Sequence, residues 1–187
     1  ADTGVSIEAF SDGYVFATGN LEEKQQIEKL GWIEVSFPLS ASSKDFPNKD
    51  SEYHNYAELK QALTDLNQKY PEITKLFSIG QSIEKREILG IRISGDLAHA
   101  SEKPAVIFMG GHHAREHLSV EMPLRFVKHL LEKYAAGDER IVGLVNNRDI
   151  HVIPAINPDG LEYDVATGSY QMWRKNRSRN SDGTYGV

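Results

Sequence analysis

Within the stretch Gly110-Gly111-His112-His113-Ala114-Arg115-Glu116-His117-Leu118, an imidazole and a carboxylate stand three residues apart, at His113 and Glu116. Neutral imidazole nitrogen and ionised carboxylate oxygen are the donors that Zn²⁺ takes in catalytic sites, where three protein ligands leave one position for water. A backbone that makes one tight turn aims residues i and i+3 at the same point, and the two glycines just upstream permit such a turn. A second parse stays open: His113 to His117 also reads as the inverted pattern His-x-x-Glu-His, with both histidines on the metal and Glu116 as general base. That pattern requires a continuous helix, which Gly110 and Gly111 disfavour. Alone, His-x-x-Glu is short enough to fit a solvated loop.

The elements that must position this pair can be traced along the chain. Ala105 to Met109 is an unbroken apolar run ending at Gly110-Gly111, the pattern of a strand buried on both faces. Val120, Leu124, Val127, Leu130, Leu131 and Tyr134 recur at helical spacing and predict a helix starting near Ser119. The candidate pair therefore falls between the carboxyl end of a strand and the start of a helix, where α/β sheets bind ligands. Tyr56, Leu59, Leu63, Leu66 and Tyr70 predict another helix over about 55 to 69, stopped by Pro71. Short β-branched runs at 73–79, 87–94 and 150–156 predict further strands, and the alternation gives an α/β domain. Upstream, 14–18, 21–30 and 32–37 read as strand, short helix and strand, a small unit joined to the rest by the polar stretch Ser40 to Asp50.

Composition narrows the function classes. The 187 residues, 40% hydrophobic, suffice for one main core, and a formal charge of -6 without a basic run argues against nucleic acid as a partner. With zero cysteines, a metal must be held by His and carboxylate. No apolar run reaches the roughly 20 residues of a membrane span, and Ala1-Asp2-Thr3-Gly4 does not open a signal peptide, so the start reads as a processed terminus.

Further segments extend the pattern: Phe46-Pro47 with Asp50-Ser51-Glu52-Tyr53-His54-Asn55-Tyr56, Phe77-Ser78-Ile79-Gly80-Gln81-Ser82 with Arg86-Glu87-Ile88, and then Val145-Asn146-Asn147-Arg148, Asn157-Pro158-Asp159-Gly160 and Trp173-Arg174-Lys175-Asn176-Arg177. Together and in this order they resemble the zinc metallocarboxypeptidases of the carboxypeptidase A and B type, most of all bacterial carboxypeptidase T. The resemblance covers Asp45 to Val187. It implies an α/β/α sandwich on a mixed sheet of about eight strands, of which residues 45–187 are the N-terminal part of the catalytic domain and residues 1–44 a propeptide-like tail or N-terminal extension.

What the resemblance implies for function is a secreted enzyme, made as a zymogen, that hydrolyses C-terminal peptide bonds of peptides and proteins through a zinc-activated water. His113 and Glu116 would be two of its zinc ligands, Arg174 the cation that polarises the scissile carbonyl, and Arg115 a residue of the peptide-binding groove. The third ligand, a His, together with the clamp for the substrate carboxylate, a capping Tyr and a general-base Glu, belongs to a downstream part of such an enzyme. That missing C-terminal part is then a required partner, and side-chain preference cannot be read without it. A catalytically inactive peptide-binding or propeptide-bearing module of the same fold is the alternative.

Other residues take plainer readings. His112 and His117 read as neighbours of the site, His151 as a core histidine in a strand, and His54, His99 and His129 as surface or packing residues. Asp159 reads as a turn former, Trp173 as groove lining or buried aromatic, and Arg177 and Arg179 as a solvated loop face. Asp50, Ser51, Glu52 and Glu58 carry oxygens suited to calcium without forming a full loop motif. With two ligands of three, the 187-residue polypeptide alone is expected to bind zinc weakly and to release no C-terminal residues; turnover by it, with no second polypeptide present, would refute this.

Overall fold

The computed structural model describes residues 6–11, 14–18, 21–31 and 45–186, and the chain divides into two compact units, 1–41 and 42–187. In the first, β1 (Ser6–Ser11) pairs antiparallel with β2 (Tyr14–Thr18), and α1 (Leu21–Lys29) follows. β1 escapes sequence reading because Ile7 and Phe10 break the two-residue period, and the register shifts between Ile7 and Ala9. The strand expected over 32–37 lies outside the described residues.

The second unit is built on a mixed four-stranded sheet of β3 (Thr74–Gln81), β4 (Glu87–Ile93), β5 (Ala105–Met109) and β6 (Asp149–Ile153), in the order β3-β4-β6-β5. The β3/β4 and β4/β6 pairs are antiparallel, and β5 runs parallel to β6. Register sets Leu76, Ile91, Val152 and Phe108 in one row across all four strands. On this face the sheet and the helices share one core, with Leu59 and Leu63 from α2 (Tyr56–Lys69), Leu124, Val127 and Leu131 from α3 (Leu118–Ala135), and Val145 from α4 (Glu139–Asn146). A fully buried leucine removes enough apolar area from water to contribute about 2 kcal/mol, so this row and its helices dominate stability. The described residues thus form a mixed α/β sheet with one helical layer of the expected sandwich.

Local chemistry explains the boundaries. α2 starts at Asn55, whose side chain accepts from Glu58 N while Glu58 reaches back to Asn55 N, a capping box that satisfies two donors at the helix start. α3 contains Pro123, which cannot donate to the Ser119 carbonyl. That carbonyl lies where a side chain at Gly110 would stand, so only glycine fits at the end of β5. α4 begins at Asp138, which caps Ile141 N at 3.2 Å. α5 (Pro158–Asp164) begins with Asn157 as N-cap and Pro158 in its first turn, so the Asn-Pro-Asp-Gly segment is a helix start rather than a free turn.

One expectation fails. β5 is an edge strand, and Ile107 (59% exposed) and Met109 (52%) face outward from the sheet instead of being buried. The apolar run predicted burial on both faces, but among the described residues the helices cover only the Phe108 face of β5, and Ile107 lies on the other face beside His151.

The face opposite the helices carries a charged pair. Arg92 Nε and Nη2 donate to the two oxygens of Asp149 at 2.6 and 2.7 Å, and His151 Nε2 stands 3.0 Å from the same carboxylate. His151 is thereby a satisfied strand histidine. The Arg92 guanidinium, followed by His151, holds the Asp149 carboxyl below its ordinary value of 3.8. A depressed carboxyl stabilises the fold above the unfolded pKa, and the contribution is lost as pH falls through the folded pKa. Asp149→Asn is accordingly expected to cost about 1.5–3 kcal/mol at pH 7. Urea unfolding of both proteins should show the gap closing below about pH 4.

Candidate functional site

The loop that carries the candidate ligands leaves β5 at its carboxyl end and runs into α3. Its start extends the parallel pairing: Gly110 N donates to Ile153 O, Ile156 N to Gly110 O and Asn157 N to Gly111 O, each at 3.0 Å. Gly111 adopts φ +60, and a side chain there would meet Val120 and the backbone at 154–155. The turn then closes through Glu116 N to His113 O at 3.1 Å, and Ser119 fixes it by donating from Oγ to Glu116 O at 2.6 Å while accepting from Gly111 N at 3.1 Å.

Inside this turn, His113 Nδ1 and Glu116 Oε1 lie 2.9 Å apart, both partly exposed at 39% and 52%. Two donors each about 2.1 Å from a tetrahedral zinc are roughly 3.4 Å apart, so the pair needs to open by only about half an ångström to share an ion. The donor set is that of a zinc site. Among the described residues, no group of three or more His, Cys, Asp or Glu converges to hold a metal. His113 and Glu116 are thus two donors without a third.

The second parse of the motif does not fit. His113 to His117 is a turn, and α3 begins only at Leu118. His117 is 6% exposed and faces inward: its Nε2 lies 2.7 Å from Asp164 Oδ2, and its ring packs against Phe46 and Tyr170, with centroids 4.7 and 5.3 Å away. A side chain held by a buried carboxylate cannot also reach the point between His113 and Glu116. His112 is exposed and contributes its carbonyl, which accepts from Asn157 Nδ2 at 3.2 Å.

Arg174 is brought to the pair by backbone contact. Ala114 N donates to Arg174 O at 3.2 Å, laying the segment Trp173-Arg174-Lys175 alongside the loop. The turn before it is tight: Gln171 N donates to Asp164 O at 2.8 Å, Trp173 N donates to the Asp164 side chain, and Met172 between them is driven to φ 55. A non-glycine residue there costs about 1–2 kcal/mol, and the two bonds to Asp164 hold it. Arg115 and Arg174 are both exposed, and among the described residues no partner holds either guanidinium. The loop and the segment bonded to it thus each carry an exposed guanidinium, a donor group suited to oxygen-rich ligands.

Several residues do more than their sequence suggests. Asp159, read as a turn former, is 3% exposed and accepts from Ser82 Oγ, Glu84 N and Arg86 Nη1 at 2.6, 2.9 and 2.8 Å, tying the β3–β4 turn to α5. Arg177, read as a solvated face, is 13% exposed and stacks on Tyr163 and Tyr185, 3.8 and 4.2 Å from their centroids. His54, read as a packing residue, bonds to buried Glu121 through both its backbone N and Nδ1. Tyr170 donates to Asp50 at 2.7 Å, and burial, then that carboxylate, pushes its hydroxyl above the ordinary phenol range. With Asp50 engaged there and Glu58 in the α2 cap, the residues considered for calcium form no site.

Gly160 marks how closely α5 approaches this assembly. A Cβ there would stand 2.6 Å from Asn157 Nδ2, 2.7 Å from Lys175 O and 2.9 Å from Ala114 Cβ. Alanine in a helix is favoured over glycine by about 1 kcal/mol, but overpacking costs about 1–3 kcal/mol. Gly160→Ala should therefore lower the unfolding midpoint; a rise would show that α5 does not press on the loop.

Comparison with known proteins identifies the family of the fold that carries this loop. A profile of the zinc carboxypeptidase family matches residues 59–187. The chain is 41% identical over 160 residues to a zinc carboxypeptidase of Saccharothrix mutabilis subsp. capreolus, covering 83% of this chain and 36% of the relative, and 40% identical over 128 residues to carboxypeptidase E of Caenorhabditis elegans, covering 67% and 27%. Among solved structures, thrombin-activatable fibrinolysis inhibitor superposes with TM-score 0.65 at 27% identity over 82% of this chain and 36% of that one. Carboxypeptidase A from Helicoverpa armigera superposes with 0.59 at 25% identity over 90% and 39%. The chain thus spans about a third of the length of these relatives. Its matched residues and its mixed α/β sheet place it in one family: the chain belongs to the zinc carboxypeptidases.

Proposed function

We propose that this chain supplies two zinc ligands, His113 and Glu116, and the carbonyl-polarising cation, Arg174, of a carboxypeptidase that cleaves C-terminal peptide bonds. One observation carries the reading: Nδ1 of His113 and Oε1 of Glu116 converge at 2.9 Å on a loop bonded directly to the backbone of Arg174. Zinc bound there supplies Lewis acidity. The chain's own residues orient the substrate. Arg174, exposed on the segment bonded to the loop, would stabilise the negative charge that builds on the carbonyl oxygen as water attacks, an interaction strongest in a site that excludes solvent. Arg115 lies next to Glu116 and offers a planar fork of donors to peptide carbonyl or carboxylate oxygens along the groove.

The proposal extends to the whole protein as a secreted enzyme acting on peptide or protein C-termini, with residues 1–44 as a propeptide-like tail. The division of the chain into separate compact units at 1–41 and 42–187 supports a removable N-terminal piece. That no helix among the described residues is long and apolar enough to cross a membrane is compatible with this.

The test is made in the full-length protein. Zinc content and release of C-terminal amino acids from peptides are measured for wild type, His113→Ala, Glu116→Ala and Arg174→Ala. The two ligand variants should lose zinc, whereas Arg174→Ala should keep it and lose about 10²–10³-fold in kcat. Full zinc retention by both ligand variants, or turnover indifferent to Arg174, would sink the assignment.

A further inference from the structure

The loop with the candidate ligands and the segment with Arg174 touch each other through one backbone bond, Ala114 N to Arg174 O. One such bond contributes only about 1 kcal/mol and cannot fix two loop segments to the tolerance that chemistry demands. α5 supplies the rest from both of its ends. At the first, Asn157 Nδ2 donates to His112 O at 3.2 Å and to Lys175 O at 3.0 Å, while its Oδ1 accepts from Gly160 N at 3.1 Å. At the last, fully buried Asp164 meets His117 Nε2 at 2.7 Å through one oxygen and accepts Trp173 N through the other.

The pattern of these bonds is specific. His112 precedes His113, and His117 follows Glu116; Trp173 precedes Arg174, and Lys175 follows it. Each α5 side chain bridges one residue flanking the candidate ligands and one residue flanking the cation, and the two bridges stand about 10 Å apart along the helix. Gly160, midway, lets the helix press against both segments. Neither Asn157 nor Asp164 points at the ligands or the cation themselves.

We infer that α5 is a two-point clamp in which Asn157 and Asp164 are positioning residues that fix Arg174 relative to His113 and Glu116. The inference rests on the zinc carboxypeptidase reading of the site. Its consequence is that the metal-binding geometry and the placement of the oxyanion cation are set by one element, so loosening either end disturbs both. A purely structural role would lower stability while leaving zinc affinity and kcat of the folded protein unchanged.

Asn157→Asp separates the two roles, because a carboxylate still caps Gly160 N but loses both donors and faces the His112 and Lys175 carbonyls. Asp164→Asn is its companion at the other end. In the full-length protein, Zn²⁺ affinity is measured by competition with a chromogenic chelator, and kcat and KM are measured at saturating zinc. The folded variants should bind zinc about 10- to 100-fold more weakly and lose about 10- to 100-fold in kcat with KM little changed. In an Arg174→Ala background the kcat loss should largely disappear. Unchanged zinc affinity and kcat in folded Asn157→Asp overturns the clamp, as does a kcat loss that stays full-sized without Arg174, or loss of the fold by Asn157→Asp. If Asp164→Asn does not fold, Asn157→Asp decides alone. A wild type that neither binds zinc nor releases C-terminal residues fails the carboxypeptidase reading itself, a result distinct from an active wild type indifferent to residues 157 and 164.

Discussion

Three backbones meet at the carboxyl end of the sheet more closely than side chains permit, and much of the second unit follows from that approach. Gly110 and Gly111 let the end of β5 pass beneath the first turn of α3 and beside residues 154–155, and Gly160 lets α5 lie against Ala114 and Lys175. A methyl group at Gly110 or Gly160 would fall on backbone oxygen, which has no rotamer to escape into. The glycines therefore do more than permit turns: they set the spacing at which peptide groups of the loop can bond to β6, α5 and the Arg174 segment.

Around this contact the fold uses buried carboxylates as anchors. Glu121, Asp159, Glu162 and Asp164 are all nearly inaccessible, and each accepts from a backbone N–H outside its own helix: His54 N, Glu84 N, Tyr56 N and Trp173 N respectively. Taking a carboxylate out of water is costly unless its oxygens are fully used, and here each is shared between a backbone donor and a second partner or a helix end. The arrangement gathers segments without secondary structure of their own onto α3 and α5. Residues 45–56 are held in this way, with Phe46 stacked at the edge of His117 and Tyr170 bonded to Asp50.

The parts legible in sequence are those with local, periodic causes. α2 and α3 show helical spacing and stop signals, β5 is an unbroken apolar run between Pro104 and Gly110, and the His113/Glu116 turn follows from residue type and spacing. α4 is short, with Asp138 as its only start signal, and α5 is short and has Asp159 and Gly160 where a turn would also place them. The exposure of Ile107 and Met109 could not be read, because burial depends on neighbours, not on the strand's own residues. The roles of Asn157, Asp159 and Asp164 were hidden for a related reason: their partners lie 45, 77 and 47 residues away, and nothing local distinguishes a polar residue that spans such gaps from one that faces water. The Asn-Pro pair at 157–158 was the one available clue, an N-cap followed by a proline in the first turn.

The edge position of β5 has a bearing on how the sheet is extended. Among the described residues β5 pairs on one side only, and Ile107 and Met109 stand exposed on the face opposite the helices, so this strand is where further strands of the same sheet would add. No lysine, proline or bulge within Ala105 to Met109 blunts it. The strand that carries the candidate ligands at its end is therefore also the one on which the sheet can be extended, so whatever pairs with β5 bears directly on the position of the His113/Glu116 turn.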